Sequence, residues 1–405
     1  MNRVVITGVG CVSSLGVGAG ALWNGLMRVT PGIRPVRLAY EGLEVTVPGA
    51  PVQGYDPLQH FAADELVFRD PYAQYAIVAA REAMRDAGLG PGEASPGDTA
   101  VVLGTGGGGE QARQDAAIRL FGERKLRCNP GIVPKTNNQA SVGFVTMEFA
   151  LTGPSLVVST GCAAATHAIA QAFLMVRHGV ARRAITGGSE AALIIGVIQA
   201  FDAARVLSRT TCRPFSRERD GMVVGEGGGM VILETLQDAR ARGASIYAEL
   251  AGVGMSADAS SSVHPREQGP AQAISTALRD ARLNPGEVDY INAHGTATEI
   301  NDRVETAAIR RAFGAHADRL TVSSTKSVHG HTFGGAGAIE LVATLLAMKH
   351  NVAPPTANYL GPDDGCDLDY APNQPKERKI RNALKQSFAF GGLNAVLALR
   401  KDIAL

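Results

Sequence analysis

The feature that most constrains the fold of this chain is an internal repeat. Residues 83–93 and residues 277–287 carry the same alanine, arginine, aspartate, alanine, leucine, proline, glycine and glutamate at matching positions. Each copy follows an alanine-rich stretch typical of a helix and precedes a strand-like run, at 99–104 in the first case and at 288–293 in the second. A repeat that links helix to strand in this way indicates a duplicated structural unit.

A second match follows the first in the same order. The heptapeptide 175–181 resembles the heptapeptide 347–353, which makes duplication a better explanation than shared helix composition. We therefore divide the chain into two halves, 1–250 and 251–405, each alternating strand and helix. Alternation of this kind is typical of α/β folds with largely parallel sheets and helices on both faces. Because a duplication relates equivalent strand ends by a pseudo-twofold axis, we expect residues from both halves to meet near the middle.

The composition favours a globular, cytoplasmic protein. Hydrophobic residues make up 45% of the chain and charged residues 19%, which suits a sizeable buried core. The net charge of +1 gives no general attraction to nucleic acid. The five cysteines are scattered without a CxxC pair, which argues against a disulfide framework and a structural zinc site. The run Arg3–Thr7 is already strand-like, so we expect no signal peptide, and the apolar stretches are too short for membrane insertion.

Cys162 is the candidate nucleophile because of its place between a strand and a helix. Leu156–Thr160 has the β-branched, apolar character of a buried strand, and Gly161 supplies the turn. Residues 163–176 predict a helix that is buried on all sides. In the first turn of such a helix, free N–H groups and the helix dipole favour a thiolate, so we expect a lowered thiol pKa. A buried structural cysteine is the alternative.

Polar residues follow predicted strands of the second half. His294 follows one strand, Lys326 and His331 follow the next, and Phe390 with two glycines after it ends a third. The repeat aligns these strand ends with the one that carries Cys162. We therefore expect these side chains to converge on the thiol.

Several motifs in this order resemble the elongating β-ketoacyl-acyl carrier protein synthases of types I and II, condensing enzymes of the thiolase superfamily. The resemblance extends along essentially the whole chain and implies a thiolase-like duplicated fold, with two α/β halves whose central mixed sheets are layered with helices. The motifs are Cys162 with Thr-His-Ala-Ile at 166–169, Arg-Asp-Gly at 219–221, Gly-Glu-Gly at 225–227, Asn-Ala-His-Gly-Thr at 292–296, Ser-Ser-Thr-Lys-Ser at 323–327, Gly-His at 330–331 and Phe-Gly-Gly at 390–392.

The resemblance also implies a reaction, the decarboxylative Claisen condensation of a Cys162-bound acyl group with malonyl-acyl carrier protein in fatty acid elongation. The N–H groups of Cys162 and Phe390 would form the oxyanion hole, and the Phe390 ring would gate the second substrate. His294 and His331 would act as neutral imidazoles that donate hydrogen bonds to the thioester oxygen as carbon dioxide leaves.

By the same resemblance, Lys326 pairs with Glu340 and supports the hydrogen-bond network of the site. Thr296 and Thr298 match residues that line the approach of pantetheine and malonyl. The protein itself would need no metal and no cofactor, since its substrates arrive on the phosphopantetheine of acyl carrier protein.

Carrier docking requires a local basic patch, because this class of carrier protein is acidic. Arg124, Lys125, Arg127 and Arg205 lie where family members place some docking residues. The segment 64–68 is a departure, since it begins with two acidic residues where related sequences tend to be basic. Relatives are homodimers, and the strand before the nucleophile would suit pairing across a dimer axis.

The sequence raises four alternatives, and the residues argue against the last three of them. The nearest is the same chemistry in a type II polyketide or aryl-polyene-like pathway, with a heterodimeric synthase-like subunit of the chain-length-factor type. A non-catalytic partner would lack the nucleophile, which is present here. A degradative thiolase would need a second cysteine as base, and Cys366 lies in an acidic, loop-like segment instead. Gly8-Val9-Gly10 follows the first strand but lacks the third glycine of a dinucleotide-binding fingerprint.

Overall fold

The computed structural model describes residues 1–40, 42–90 and 96–403. Pro91, Gly92 and Glu93 of the first repeat copy lie outside the described residues, as do the last two residues of the predicted second half. The strands are β1 (Val4–Ser13), β2 (Gly16–Val17), β3 (Arg34–Tyr40), β4 (Leu43–Ala50), β5 (Thr99–Gly104), β6 (Ser155–Val158), β7 (Arg183–Ala191), β8 (Val224–Thr235), β9 (Ala248–Ala257), β10 (Tyr290–Asn292), β11 (Thr321–Ser323), β12 (Val352–Ala353), β13 (Lys376–Glu377), β14 (Asn382–Ala389) and β15 (Leu393–Arg400).

Helices alternate with most of these strands. Short 3₁₀ turns occur as well, including one at Gly161–Ala163 that precedes α6. The α-helices are α1 (Ala19–Arg28), α2 (Pro71–Asp86), α3 (Glu110–Ala117), α4 (Ile132–Thr136), α5 (Ala140–Glu148), α6 (Ala164–Arg177), α7 (Ile195–Ala203), α8 (Leu236–Ala241), α9 (Gln268–Ala281), α10 (Glu299–Phe313), α11 (Lys326–His329) and α12 (Phe333–His350).

One large sheet runs through the molecule in the order β11-β10-β14-β15-β9-β1-β8-β7-β5-β6. The central pair β1 and β9 is antiparallel. Outward from this pair, both arms continue with two antiparallel ladders and then two parallel ladders. The matching arms are what a duplicated unit produces. The sheet is mixed, as the resemblance implied, and the expectation of a largely parallel sheet is wrong because hairpin connections such as the one between β14 and β15 pair strands antiparallel.

Close packing between β1 and α2 explains two glycines of the first strand. A Cβ atom on Gly8 would lie 2.2 Å from the carbonyl oxygen of Ala83, and one on Gly10 would lie 2.0 Å from that of Ala79. Only glycine therefore allows the strand and the helix to approach this closely. Gly8 and Gly10 therefore lie within β1, where they allow it to pack closely against α2.

The strand before the nucleophile is exposed more than expected. β6 lies at the end of the sheet order, next to β5, and its first residue is exposed while the other three are only partly buried. The prediction of a buried strand at Leu156–Thr160 is therefore wrong for the isolated chain, because an edge strand is covered on one side only. By contrast, α12 is buried from Phe333 to Met348 and forms the centre of the molecule.

The proposed division of the chain after residue 250 falls inside β9, which runs from Ala248 to Ala257. β9 and β1 are the central strands from which the two arms of the sheet extend. Among the described residues, we find no helix with both the length and the apolar character needed to cross a membrane.

Candidate active site

Strand ends from both arms of the sheet meet around one cavity of about 240 Å³. Cys162 comes from the end of β6, His294 from the end of β10, and Phe390 from the end of β14. These residues and His331, which follows α11, all line the cavity. Four of the expected residues from the two arms therefore share one cavity, whereas Lys326 does not line it.

Cys162 lies in a tight turn between β6 and α6. Gly161 has a φ of +56°, a left-handed conformation that favours glycine, and it turns the chain directly into the 3₁₀ turn Gly161–Ala163. The helix that follows, α6, packs most of its alanines and Phe173 into the main hydrophobic core. The thiol is thereby held at the helix start, partly exposed to the cavity.

The pKa of the Cys162 thiol is not lowered. Burial raises it to about 12, and the positive charge of Lys326 offsets only part of this rise, while the carboxylate of Glu190 adds to it. The prediction of a lowered thiol pKa is wrong because desolvation of the thiolate in the enclosed site outweighs the helix start. The thiol therefore keeps its proton at neutral pH.

The imidazoles of His294 and His331 lie edge to face, with ring centroids 5.4 Å apart and an interplanar angle of 82°. Both rings are buried. Among the described residues, Nδ1 of His294 and both ring nitrogens of His331 have no hydrogen-bond partner. Burial, followed by the charge of Lys326, holds the pKa of each imidazole well below its usual value, so both rings are neutral at physiological pH.

The backbone at His294 is held from two sides. The N–H groups of His294 and Gly295 each donate to the carboxylate of Glu305, at 2.7 Å in both cases. The His294 carbonyl accepts a hydrogen bond from Lys326 Nζ at 2.5 Å. Glu305 lies on α10, and burial raises the pKa of its carboxyl to about 7. Sequence reasoning missed this residue, because it sits in a helix that reads as an ordinary charged one.

Behind the imidazoles lies a fully buried group of three charges. Lys326 on α11 forms an ion pair with Glu340 on α12, as the resemblance implied. The same carboxylate also binds Lys385 Nζ on β14, at 2.6 Å. Lys385 was not anticipated, although a lysine between buried residues of a strand is an unusual feature.

A third buried carboxylate binds backbone N–H groups of the glycine-rich segment 106–109. Glu190, at the end of β7, accepts hydrogen bonds from the N–H groups of Gly106 at 2.5 Å, Gly107 at 3.2 Å and Gly334 at 3.1 Å. Burial nonetheless raises the pKa of Glu190 to about 7. This carboxyl group links the loop after β5 to the start of α12, and it too was missed from the sequence.

The cavity mouth carries the remaining expected residues. Thr296 and Thr298 line the cavity, and their hydroxyl oxygens lie 2.9 Å apart. Phe390 is 49% exposed at the opening, and the N–H group of the following Gly391 donates to the carbonyl of Ser262 at 2.8 Å. An exposed aromatic ring next to glycines has room to change its conformation.

The four basic residues expected to dock a carrier protein separate into two groups. Arg205 lines the cavity and lies at its opening. Arg124, Lys125 and Arg127 lie on an exposed segment after α3, where Lys125 pairs with Glu123 at 2.8 Å.

The sequence matches two family descriptions, the beta-ketoacyl synthase N-terminal domain over residues 1–239 and the beta-ketoacyl synthase C-terminal domain over residues 247–360. The chain belongs to the β-ketoacyl synthase family. It is an acyltransferase-type condensing enzyme with the thiolase-like fold of that family, as the resemblance predicted.

Relatives cover the chain almost completely. Nodulation protein E of Rhizobium sp. is 45% identical over 401 residues, with 99% of both chains aligned. The 3-oxoacyl-acyl-carrier-protein synthase 2 of Synechocystis sp. is 39% identical, covering 99% of this β-ketoacyl synthase and 98% of the relative. Among solved structures, the ishigamide ketosynthase/chain length factor superimposes with a TM-score of 0.94 at 32% identity, covering 99% of this chain and 100% of the other.

Proposed function

We propose that this β-ketoacyl synthase joins an acyl group held on Cys162 to a malonyl group carried by acyl carrier protein, with loss of carbon dioxide. The observation that carries the proposal is that one cavity is lined by the thiol and by two neutral imidazoles from the opposite arm of the sheet. The product is a β-ketoacyl group on the carrier.

The first step is acyl transfer to Cys162. The thiol sulfur attacks the incoming thioester carbonyl, the bond to the carrier sulfur breaks, and the thiol proton passes to the departing carrier thiolate. Because burial raises the pKa of the Cys162 thiol to about 12, the proton leaves only during this step. Backbone N–H groups of Cys162 and Phe390 stabilise the oxyanion, each contributing about 3–4 kcal/mol in such sites.

The second step is decarboxylation of the malonyl group. The bond between its α-carbon and its carboxylate breaks, carbon dioxide leaves, and the electron pair forms an enolate. His294 and His331 donate hydrogen bonds to the enolate oxygen, and because both are neutral they do not protonate its carbon. The carbon attacks the acyl group on Cys162, and cleavage of that thioester releases the Cys162 thiolate, which takes up a proton from solvent to restore the thiol. Thr296 and Thr298 line the approach of the malonyl and pantetheine chains.

We place this chemistry in fatty acid elongation, supported by the relative named as a 3-oxoacyl-acyl-carrier-protein synthase. The four basic residues named above form the carrier-docking surface, with Arg205 at the cavity mouth. A specialised pathway is the second candidate. It is favoured by the higher identity to nodulation protein E, 45% against 39%, and by the superposition on a ketosynthase/chain length factor.

We further propose that two subunits pair along β6. This edge strand leaves backbone groups available on one side and its side chains only partly buried, which favours addition of a strand from a partner. A second copy of this chain gives a homodimer, and a synthase-like subunit gives a heterodimer.

The proposal is tested by intact-mass profiling. The purified protein is offered a panel of acyl carrier proteins loaded with saturated, unsaturated and β-keto acyl chains. We expect Cys162 to gain the mass of an accepted acyl group, and malonyl-acyl carrier protein then to release carbon dioxide and yield a β-ketoacyl carrier. Condensation without an acylated cysteine would refute the mechanism. Preference for saturated chains supports fatty acid elongation, and preference for β-keto or conjugated chains supports the specialised pathway.

A further inference from the structure

Lys385 is a buried cation that the mechanism so far does not use. It lies on β14, the strand that ends next to Phe390, and its side chain is fully buried. Its Nζ atom lies 2.6 Å from Glu340 Oε2 and donates to Ser387 Oγ at 2.7 Å and to the carbonyl of Gln386. A buried ammonium is unfavourable unless such partners compensate for lost water, so the fold maintains this cation against a penalty.

The carboxylate of Glu340 is shared between two ammonium groups. One oxygen contacts Lys326 and the other contacts Lys385, and all three side chains are buried. One negative charge therefore faces two positive charges. Burial lowers the pKa of Lys385 to about 8, while Glu340 opposes this fall, so Lys385 is largely protonated at neutral pH.

Lys385 also connects the two sides of the active site. Ser387 Oγ lies 2.8 Å from Thr166 Oγ1, which belongs to α6, the helix that follows the nucleophile. On the other side, Glu340 holds Lys326, whose Nζ donates to the His294 carbonyl at 2.5 Å. A continuous chain of polar contacts thus runs from the nucleophile helix through Lys385 to the backbone of His294.

The charge of Lys385 affects the two imidazoles more than it affects the Cys162 thiol. After burial and Lys326, it is a further cause that holds the pKa of His294 and of His331 below the usual value. By contrast, burial, Lys326 and Glu190 have the largest effects on the pKa of the Cys162 thiol. The titratable groups around Lys385 are Glu340, Lys326 and Glu305.

Resting on the function proposed above, we propose that Lys385 is a positioning residue for the decarboxylating step. By sharing the carboxylate of Glu340 with Lys326, it fixes the contact to the His294 backbone and adds a second positive charge that further disfavours protonation of both imidazoles. A protonated imidazole would deliver its proton to the enolate carbon and leave an acetyl group on the carrier. Lys385 therefore favours condensation over this loss.

The test compares Lys385→Met with the unaltered protein over a range of pH. Cys162 acylation is followed by intact mass, and the β-ketoacyl and acetyl carriers formed from malonyl carrier are quantified. We expect acylation within about twofold of the unaltered protein. The pH below which acetyl carrier replaces β-ketoacyl carrier should move upward by about half a pH unit or more, because removing a nearby positive charge raises the pKa of the imidazoles.

Lys376→Met is the matched control, since this lysine is exposed and pairs with Asp369 on the surface. Lys385→Gln, also uncharged, serves as the second variant if Lys385→Met does not fold in a thermal unfolding assay. The role of Lys385 is overturned if the pH dependence of the ratio of β-ketoacyl carrier to acetyl carrier does not change. It is also overturned if acylation and condensation fall equally. If the unaltered protein neither acylates Cys162 nor decarboxylates malonyl carrier, the proposed function itself fails.

Discussion

The buried ammonium of Lys326 donates a hydrogen bond to the carbonyl of His294 at 2.5 Å, and its other partner is the carboxylate of Glu340. The lysine is therefore occupied by contacts that hold the strand end in place. A role as attacking amine would require Lys326 to leave both partners. The geometry makes it a support for the backbone that carries the His294 imidazole into the cavity.

Replacing Cys162 with alanine should abolish acyl transfer and condensation. Malonyl decarboxylation should persist at a reduced rate, because the two imidazoles that stabilise the enolate are unchanged. The measurement is intact mass of the protein together with release of carbon dioxide from malonyl-acyl carrier protein. Full condensation by this variant would show that another group carries the acyl chain.

Replacing His294 or His331 with alanine should give the opposite result. The acyl-enzyme should still form, whereas decarboxylation should fall by about 10²–10³-fold, since each imidazole donates to a developing negative charge. Single-turnover assays with pre-acylated protein separate the two steps. If such a variant decarboxylated malonyl carrier normally but failed to form the acyl-enzyme, the histidine would act in acylation and not in decarboxylation, contrary to this assignment.

The reactivity of Cys162 should depend steeply on pH. Because burial raises the pKa of its thiol to about 12, alkylation by iodoacetamide should speed up by about tenfold per pH unit between about pH 7 and about pH 9. The exposed Cys128 is the internal reference, and peptide mass spectrometry distinguishes the two sites. A plateau for Cys162 near neutral pH would indicate a stable thiolate instead.

The positions of the reactive residues were predictable from the sequence, because each follows a strand. His294 and Lys326 come directly after recognisable strands, and the repeat related those strands to the one before Cys162. Of the residues that support them, Glu340 was expected from the resemblance, but Lys385, Glu190 and Glu305 were not predictable. Glu190 and Glu305 contact glycine N–H groups that are distant or unremarkable in sequence, so only the folded chain reveals those contacts.

The two wrong predictions about the nucleophile, a lowered thiol pKa and a buried preceding strand, share a physical cause. The raised pKa of Cys162 and the exposure of β6 both depend on what surrounds a residue in three dimensions. A helix start favours a thiolate in general, yet enclosure by α12 and the neighbouring strands removes the water that would stabilise it. An apolar strand pattern likewise does not reveal whether the strand lies at the centre or at the edge of a sheet.

Replacing Glu340 with glutamine should destabilise the protein. The change leaves Lys326 and Lys385 buried without their shared counter-ion, and removing one member of a buried ion pair costs about 3–5 kcal/mol. Denaturant unfolding measures the effect, and Glu44→Gln is the control because Glu44 forms an exposed pair with Arg37. Equal stability of the two variants would mean that one lysine loses its proton at little energetic cost.

Charge reversal at Arg205 should weaken the use of carrier-bound substrates. Arg205 lies at the cavity mouth, where the pantetheine arm of an acidic carrier would enter, so Arg205→Glu should raise the KM for acyl carrier protein by about tenfold with little change in kcat. Carrier-free thioesters should be much less affected, because they lack the acidic carrier protein that the glutamate of Arg205→Glu would repel. Arg240→Glu is the control, because this arginine is exposed beside the amino terminus.

Arg127→Glu tests whether the exposed segment after α3 belongs to the same surface: a similar rise in KM places it there. An unchanged KM for both Arg205→Glu and Arg127→Glu would remove this docking surface, because a contact with an acidic partner has to respond to reversal of its charge.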